Sequence, residues 1–183
     1  MSAVVRRIGQ VKMRLYIVRH SDAEDLDAVK YPDDELRPLI RKGKKKAQKV
    51  ARWFKRQYGV PDRLLVSPAL RTLETASAFQ KEFGAVPDSL VVVDVLRPSG
   101  GQSQVIAELV NYASAEQVML FGHEPNLSQL ISTLLSGEPD VSIHMKKAGI
   151  CCLSIDSLAE GKCATLEWLL DPAMLPDGEK GAG

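Results

Sequence analysis

The sequence contains no apolar stretch approaching the roughly 20 residues that a membrane helix requires, so no membrane association is expected. It carries almost no net charge: 24 lysines and arginines stand against 23 aspartates and glutamates, leaving +1. A chain so balanced casts no strong field toward nucleic acid or a lipid surface, and nucleic acid is not expected as a partner. Cysteine is scarce. Cys151, Cys152 and Cys163 make neither a disulfide framework nor a C-x-x-C metal pair. The first two lie in an apolar run and read as small buried hydrophobes, which suits a reducing, cytoplasmic location. The first twelve residues include Arg6-Arg7 but lack an apolar core and a small-residue cleavage site, so they do not read as a secretory signal. They read as an N-terminal extension, with Met13 as an alternative start. Repeats and low-complexity blocks are absent. What remains, with 45% hydrophobic and 26% charged residues, describes one globular domain. Its expected span is 13–172, followed by a loose tail over 173–183, where Pro, Gly and charge dominate.

Apolar runs of strand length occupy residues 14–18, 63–66, 90–93 and 117–121. They do not alternate, which predicts strands covered on both faces. Helical periodicity fills the gaps, over 42–58, 72–83, 102–113 and 125–135. In the first of these Ala47, Val50, Ala51, Phe54 and Tyr58 share one face, and the opposite face carries Lys44, Lys45, Lys46, Lys49, Arg52, Lys55 and Arg56. That basic face has no aromatics interleaved for base stacking. It reads as solvated, with polyanion contact and steering of a phosphorylated partner as the alternatives. Pro125 suits a first helical turn. Two further strands, 150–155 and 165–170, flank a turn at 156–162 and are expected to be antiparallel. The predicted fold class is α/β, with a mostly parallel central sheet flanked by helices on both faces.

The polar residues that follow these strands form a pattern. After the first strand comes Arg19-His20; after the second, Arg71 at a helix start; after the fourth, His123 just before a helix. Ligands of open α/β sheets bind beyond the carboxyl ends of the strands, so parallel neighbouring strands would deliver all four side chains to one rim. Two arginines there suit a doubly charged oxyanion, because the guanidinium fork matches phosphate oxygens and stays charged. A neutral imidazole can attack phosphorus, and a second can stabilise the charge that develops. Zinc is the competing use of histidine, but the spacing of a three- or four-ligand site is absent. No metal or other cofactor is expected, and His144 reads as structural.

The segments "YIVRHSDAE", "RPLIRKGKKKA", "LLVSPALRTLETA" and "LFGHEPNLSQL" resemble, in order, the signature segments of the histidine phosphatase superfamily. Within it they are most similar to the short, SixA-like phosphohistidine phosphatase branch. The resemblance spans roughly residues 13–172. It implies a phosphoglycerate mutase-like α/β sandwich, His20 as the nucleophile, Arg19 and Arg71 as a phosphate clamp, and His123 completing the pocket. Residues 37–39 and Gly43 match the segment leading into the first helix and imply a shaping role. The usual opening is R-H-G, and Ser21 stands in the third place; its hydroxyl is a candidate phosphate contact. Ile40 replaces a common small hydroxyl residue.

Relatives that cleave phosphate esters use a carboxylic acid to protonate the leaving alkoxide. The loop after the third strand offers Ser99, Gln102 and Ser103 instead. Asp22 and Glu24, which follow the nucleophile, are the candidate proton donors, Asp22 foremost. The lack of a clear acid favours an imidazole leaving group, and so a phosphohistidine protein as the partner substrate. A small phosphoester substrate and a phosphate-binding module without turnover are the alternatives.

Overall fold

The computed structural model describes residues 7–84, 90–159 and 161–176. Its apolar runs become β1 (Arg7–Arg19), β2 (Arg63–Val66), β3 (Leu90–Val92), β4 (Gln117–Gly122), β5 (Ile150–Ala159) and β6 (Ala164–Leu170). They form one sheet of order β3-β2-β4-β1-β5-β6. Strands β1 to β4 run parallel, whereas β5 is antiparallel to both β1 and β6. The helices between them are α1 (Arg41–Tyr58), α2 (Leu70–Phe83), α3 (Gln102–Leu109) and α4 (Asn126–Ser136).

The continuous apolar runs are explained by two cores, one on each face of the sheet. Leu15, Ile17, Leu65, Val118 and Leu120 point toward Ile106, Leu109, Leu130 and Ile131 of α3 and α4. Their neighbours Tyr16, Val18, Leu64, Val66, Met119 and Phe121 point toward Val50, Phe54, Ala76 and Phe79 of α1 and α2. Successive residues of a strand face opposite sides, so a strand buried twice must be apolar at every position. Phe54 meets Tyr16 edge-on, with centroids 4.7 Å apart. Helix α1 stops at Gly59, whose φ of 83° favours glycine and whose N–H donates to Lys55 O.

Several boundaries differ from the sequence expectation. β1 starts at Arg7, not at residue 14, and pairs back along β5 as far as Ala159 through two register shifts. The ribbon so formed tolerates polar residues, and the bulges break the alternation that would have marked it. β5 accordingly takes up residues 156–159 of the expected turn. The helix after residue 102 ends at Leu109 and passes into a 3-10 turn, Val110–Tyr112. Pro125 caps α4 and does not sit inside it. Beyond Pro172 the chain stays packed: Leu175 is buried in the α1–α2 core and its carbonyl accepts from Lys49 Nζ at 2.9 Å. Residues 7–12 of the expected N-terminal extension thus belong to β1, and Met13 is a buried residue of that strand; residues 1–6 and the tail from 177 lie outside the described residues. Among the described residues no helix is long and apolar enough to cross a membrane.

Candidate active site

The chain places β4 between β1 and β2, so it passes over a gap from β1 to β2 and later fills it. Such a reversal opens a crevice at the carboxyl ends of the strands. Three ends lie side by side there. Arg19 is paired with Gly122 and Val66 with Phe121. His20 N–H donates to Gly122 O at 3.0 Å, and Ser67 N–H to Phe121 O at 3.1 Å. Strands spaced about 4.8 Å apart therefore bring His20, His123 and Ser67 to one edge. The His20 and His123 ring centroids are 5.3 Å apart.

His20 is buried, and its Nδ1 lies 2.8 Å from Ser21 O. A carbonyl oxygen only accepts, so Nδ1 carries the proton and Nε2 keeps its lone pair. His123, equally buried, has Nε2 2.8 Å from Ser67 Oγ, while its Nδ1 is buried without a partner. Arg71, second residue of α2, is only 3% exposed. Its Nη1 donates to Asp34 O at 2.8 Å and its Nη2 lies 3.0 Å from Asp34 Oδ2. Half-buried Arg19 donates from Nη1 to Met145 O at 2.8 Å. The Nε atoms of both arginines are buried with no partner. Folded proteins leave few buried polar atoms unpaired. Three of them around one histidine are donors suited to an oxyanion.

Burial lowers the His20 pKa to about 4, helped by the positive charges of Arg71, Arg19 and Lys147 and opposed by the bond to Ser21. Burial and then Arg71 bring His123 to about 3. Both rings are therefore neutral at neutral pH. The Asp34 carboxyl is held below its ordinary value, first by the hydrogen bond from Arg37 and also by Arg71. An NMR titration of the imidazole C–H signals is expected to give midpoints near about 4 and about 3; a midpoint near 6.5 for either would overturn this electrostatic picture. In the unfolded chain both rings bind protons near pH 6.5, before the folded ones do. Stability should therefore fall as pH drops from about 6.5 toward those midpoints, which urea unfolding at stepped pH would register.

The four residues singled out at strand ends thus meet at one rim. Ser21 does not join them. It is fully buried; its Oγ donates to Gly43 O at 2.8 Å and its N–H to Thr75 Oγ1 at 3.0 Å. The expected hydroxyl contact with phosphate is corrected accordingly: both donors of Ser21 are committed to α1 and α2. Nor does serine strain the backbone, since Ala148 is the one non-glycine residue with positive φ among the described residues. Asp22 turns its carboxylate to Lys46 Nζ at 2.5 Å and Lys147 Nζ at 3.9 Å. Arg37 shapes the loop as expected, donating to Glu24 O and to Asp34.

Gly43 is required by this packing. A Cβ there would lie 2.0 Å from Asp22 O. Gly43→Ala should cost about 1–3 kcal/mol and slow turnover, because it pushes on the backbone whose Ser21 carbonyl fixes the His20 tautomer. Unchanged urea midpoint and kcat would refute that role.

Two residues at the site escape the sequence reading. Ser67 follows β2 directly, so the strand-end logic that selected His20 and His123 applies to it equally. Asp34 lies in the 3-10 turn Asp34–Leu36, in a loop with no periodicity; only its charge, opposite to that of the arginines, could have drawn attention to it.

A sheet edge that sets guanidinium groups around uncharged imidazoles is built for phosphoryl groups, and on this fold it defines a phosphatase with a histidine nucleophile. This chain belongs to the histidine phosphatase superfamily: residues 15–97 match its branch 1, and phosphohistidine phosphatase SixA of Escherichia coli (strain K12) is 30% identical over 168 residues, 89% of this chain and 96% of that protein. The solved structure of the protein histidine phosphatase SixA complexed with tungstate superposes with a TM-score of 0.76 at 28% identity, over 88% of this chain and 98% of that one. The α-ribazole phosphatase from Shigella flexneri shares the fold, with a TM-score of 0.69 at 16% identity, over 91% of this chain and all of that one.

Proposed function

We propose that this phosphatase hydrolyses phosphohistidine on a partner protein, through a covalent phosphate on His20. The carrying observation is the state of His20: neutral, its Nδ1–H tied to Ser21 O, beside buried arginine and histidine nitrogens that have no partner. Nε2 attacks phosphorus, and the bond from phosphorus to the substrate nitrogen breaks. Arg19 and Arg71 hold the phosphoryl oxygens. Ser67 Oγ–H donates to His123 Nε2, which leaves Nδ1–H of His123 to stabilise the transition state. Water then attacks the phosphohistidine, releasing phosphate and restoring His20. The tungstate bound by SixA, an oxyanion, supports a clamp of this kind.

The carboxylates support this substrate class. Asp34 is held ionised by Arg37 and Arg71, and Asp22 is engaged with lysines. An alkoxide leaves badly without a proton donor. A phosphorylated imidazole, protonated on its other nitrogen, leaves as a neutral ring and needs none. The deciding experiment compares hydrolysis of a phosphohistidine protein with that of a panel of phosphoesters, with and without EDTA. Higher kcat/KM on the phosphohistidine protein, insensitive to EDTA, is expected. A marked preference for esters, or loss in EDTA restored by a metal, would overturn the proposal.

A further inference from the structure

The basic face of α1 is not uniformly solvated. One row is paired with α2: Lys44 with Glu74 at 2.6 Å, Arg52 with Glu82 at 3.0 Å, and Lys55 with Glu82 O at 2.6 Å. The other row, Lys42, Lys45, Lys46 and Lys49, turns away from α2 and lines an open groove of about 780 Å³. Lys146 and Lys147, from the segment entering β5, line it from the other side, and Arg19 of the phosphate clamp lines it too. Only two carboxylates share the groove, Asp22 and Asp171, and Asp22 already serves Lys46 and Lys147. Among the described residues, Lys42, Lys45 and Lys146 have no carboxylate partner. Against a net charge of +1 for the whole chain, this is a concentrated positive field that ends at the reaction site.

We propose that this groove docks an acidic segment of the phosphorylated partner protein; the proposal rests on the reading that the substrate is a protein. Length decides the occupant. Positions i, i+3, i+4 and i+7 extend about 10 Å along a helix, which equals about three residues of extended chain at 3.3 Å each. A single phosphate cannot span that distance, whereas a run of carboxylates can. The chemistry of the cations agrees. Lysine is a mobile point charge that suits a loosely registered carboxylate tract, while a dedicated second phosphate site would favour the arginine fork. Exposed charges of this kind act on encounter, raising association rates by 10–10³ in a salt-dependent way. They should therefore change kcat/KM for a protein substrate and leave kcat alone.

The test uses two synthetic phosphohistidine peptides, identical except for a flanking run of glutamates replaced by glutamines in the second. At low salt the glutamate peptide should be hydrolysed with a kcat/KM about tenfold higher. At about 1 M salt, where the screening length is about 3 Å, that advantage should vanish. The triple variant Lys42→Glu, Lys45→Glu, Lys146→Glu should lose it at low salt too, with kcat for a small phosphoester unchanged. A second arm measures binding of the unphosphorylated glutamate peptide by fluorescence anisotropy, which reads the groove even if phosphohistidine is not the substrate. Equal binding by the variant and the natural protein would overturn the docking site, as would efficient turnover of both peptides with equal kcat/KM. Intact, groove-dependent binding with poor turnover of both phosphohistidine peptides would overturn the substrate reading and leave the groove standing.

Discussion

The His20→Ala variant is expected to lose kcat by a factor on the order of 10⁴–10⁶, as enzymes do when a covalent nucleophile is removed, and to unfold close to the natural protein's urea midpoint. Rapid acid-free quenching of the natural protein should trap an acid-labile phosphate that the variant does not form. Stability should be spared because His20 is held in the sheet by its backbone. Its N–H donates to Gly122 O, and its carbonyl, with that of Arg19, accepts from Ala148 N–H. Among the described residues the side chain makes one hydrogen bond, to the carbonyl of the next residue, so alanine breaks no long-range hydrogen bond. The ring is also kept neutral against its ordinary pKa, and alanine has no such penalty below pH 6.5. A variant that still formed the phosphoenzyme would place the nucleophile elsewhere. A natural protein that bound phosphate but never became phosphorylated would be a binding module.

How much of this site could be read in the sequence depended on how local each cause is. Arg19, His20, Arg71 and His123 were legible because each stands at a strand-to-helix junction, and an apolar run ending in a charged or titratable residue is visible without knowing the fold. The parallel sheet was legible for a similar reason: a strand buried on both faces cannot alternate. The position of β4 between β1 and β2 was not, since strand order is a property of the whole sheet. That order is what turns three junctions into one rim. Ser21 shows the same limit on a smaller scale. Whether its hydroxyl faces the pocket or α1 depends on how closely Gly43 lets the helix approach, which is set some 20 residues along the chain. Asp34 is farther still from any local signal, because only the fold brings its loop onto Arg71.

Arg71→Ala should be the second most damaging change, reducing kcat by about 10²–10³, the usual cost of one donor at a charged transition state, and raising KM as well. Arg71 is a cation 3% exposed, with an unpartnered Nε, so the interaction proposed for it with a phosphoryl oxygen would be little screened by water. Lysine should restore little, because a point charge cannot reproduce the fork that holds Asp34 and an oxyanion together. Two further readouts separate a direct role from mere loss of packing. Arg71 lowers the pKa of both His20 and His123. Removing it should move their NMR midpoints upward from about 4 and about 3, though still below 6.5, since burial is the larger cause for each. In addition, the Asp34 carboxylate, 3.0 Å from Arg71 Nη2, would lose that counter-charge and repel the incoming phosphate. The double variant Arg71→Ala, Asp34→Asn should therefore recover part of the KM loss but none of the kcat loss. If the single variant left both midpoints in place, or if the double variant recovered kcat, Arg71 would be a packing residue beside the site and the clamp would have to be assigned to other donors.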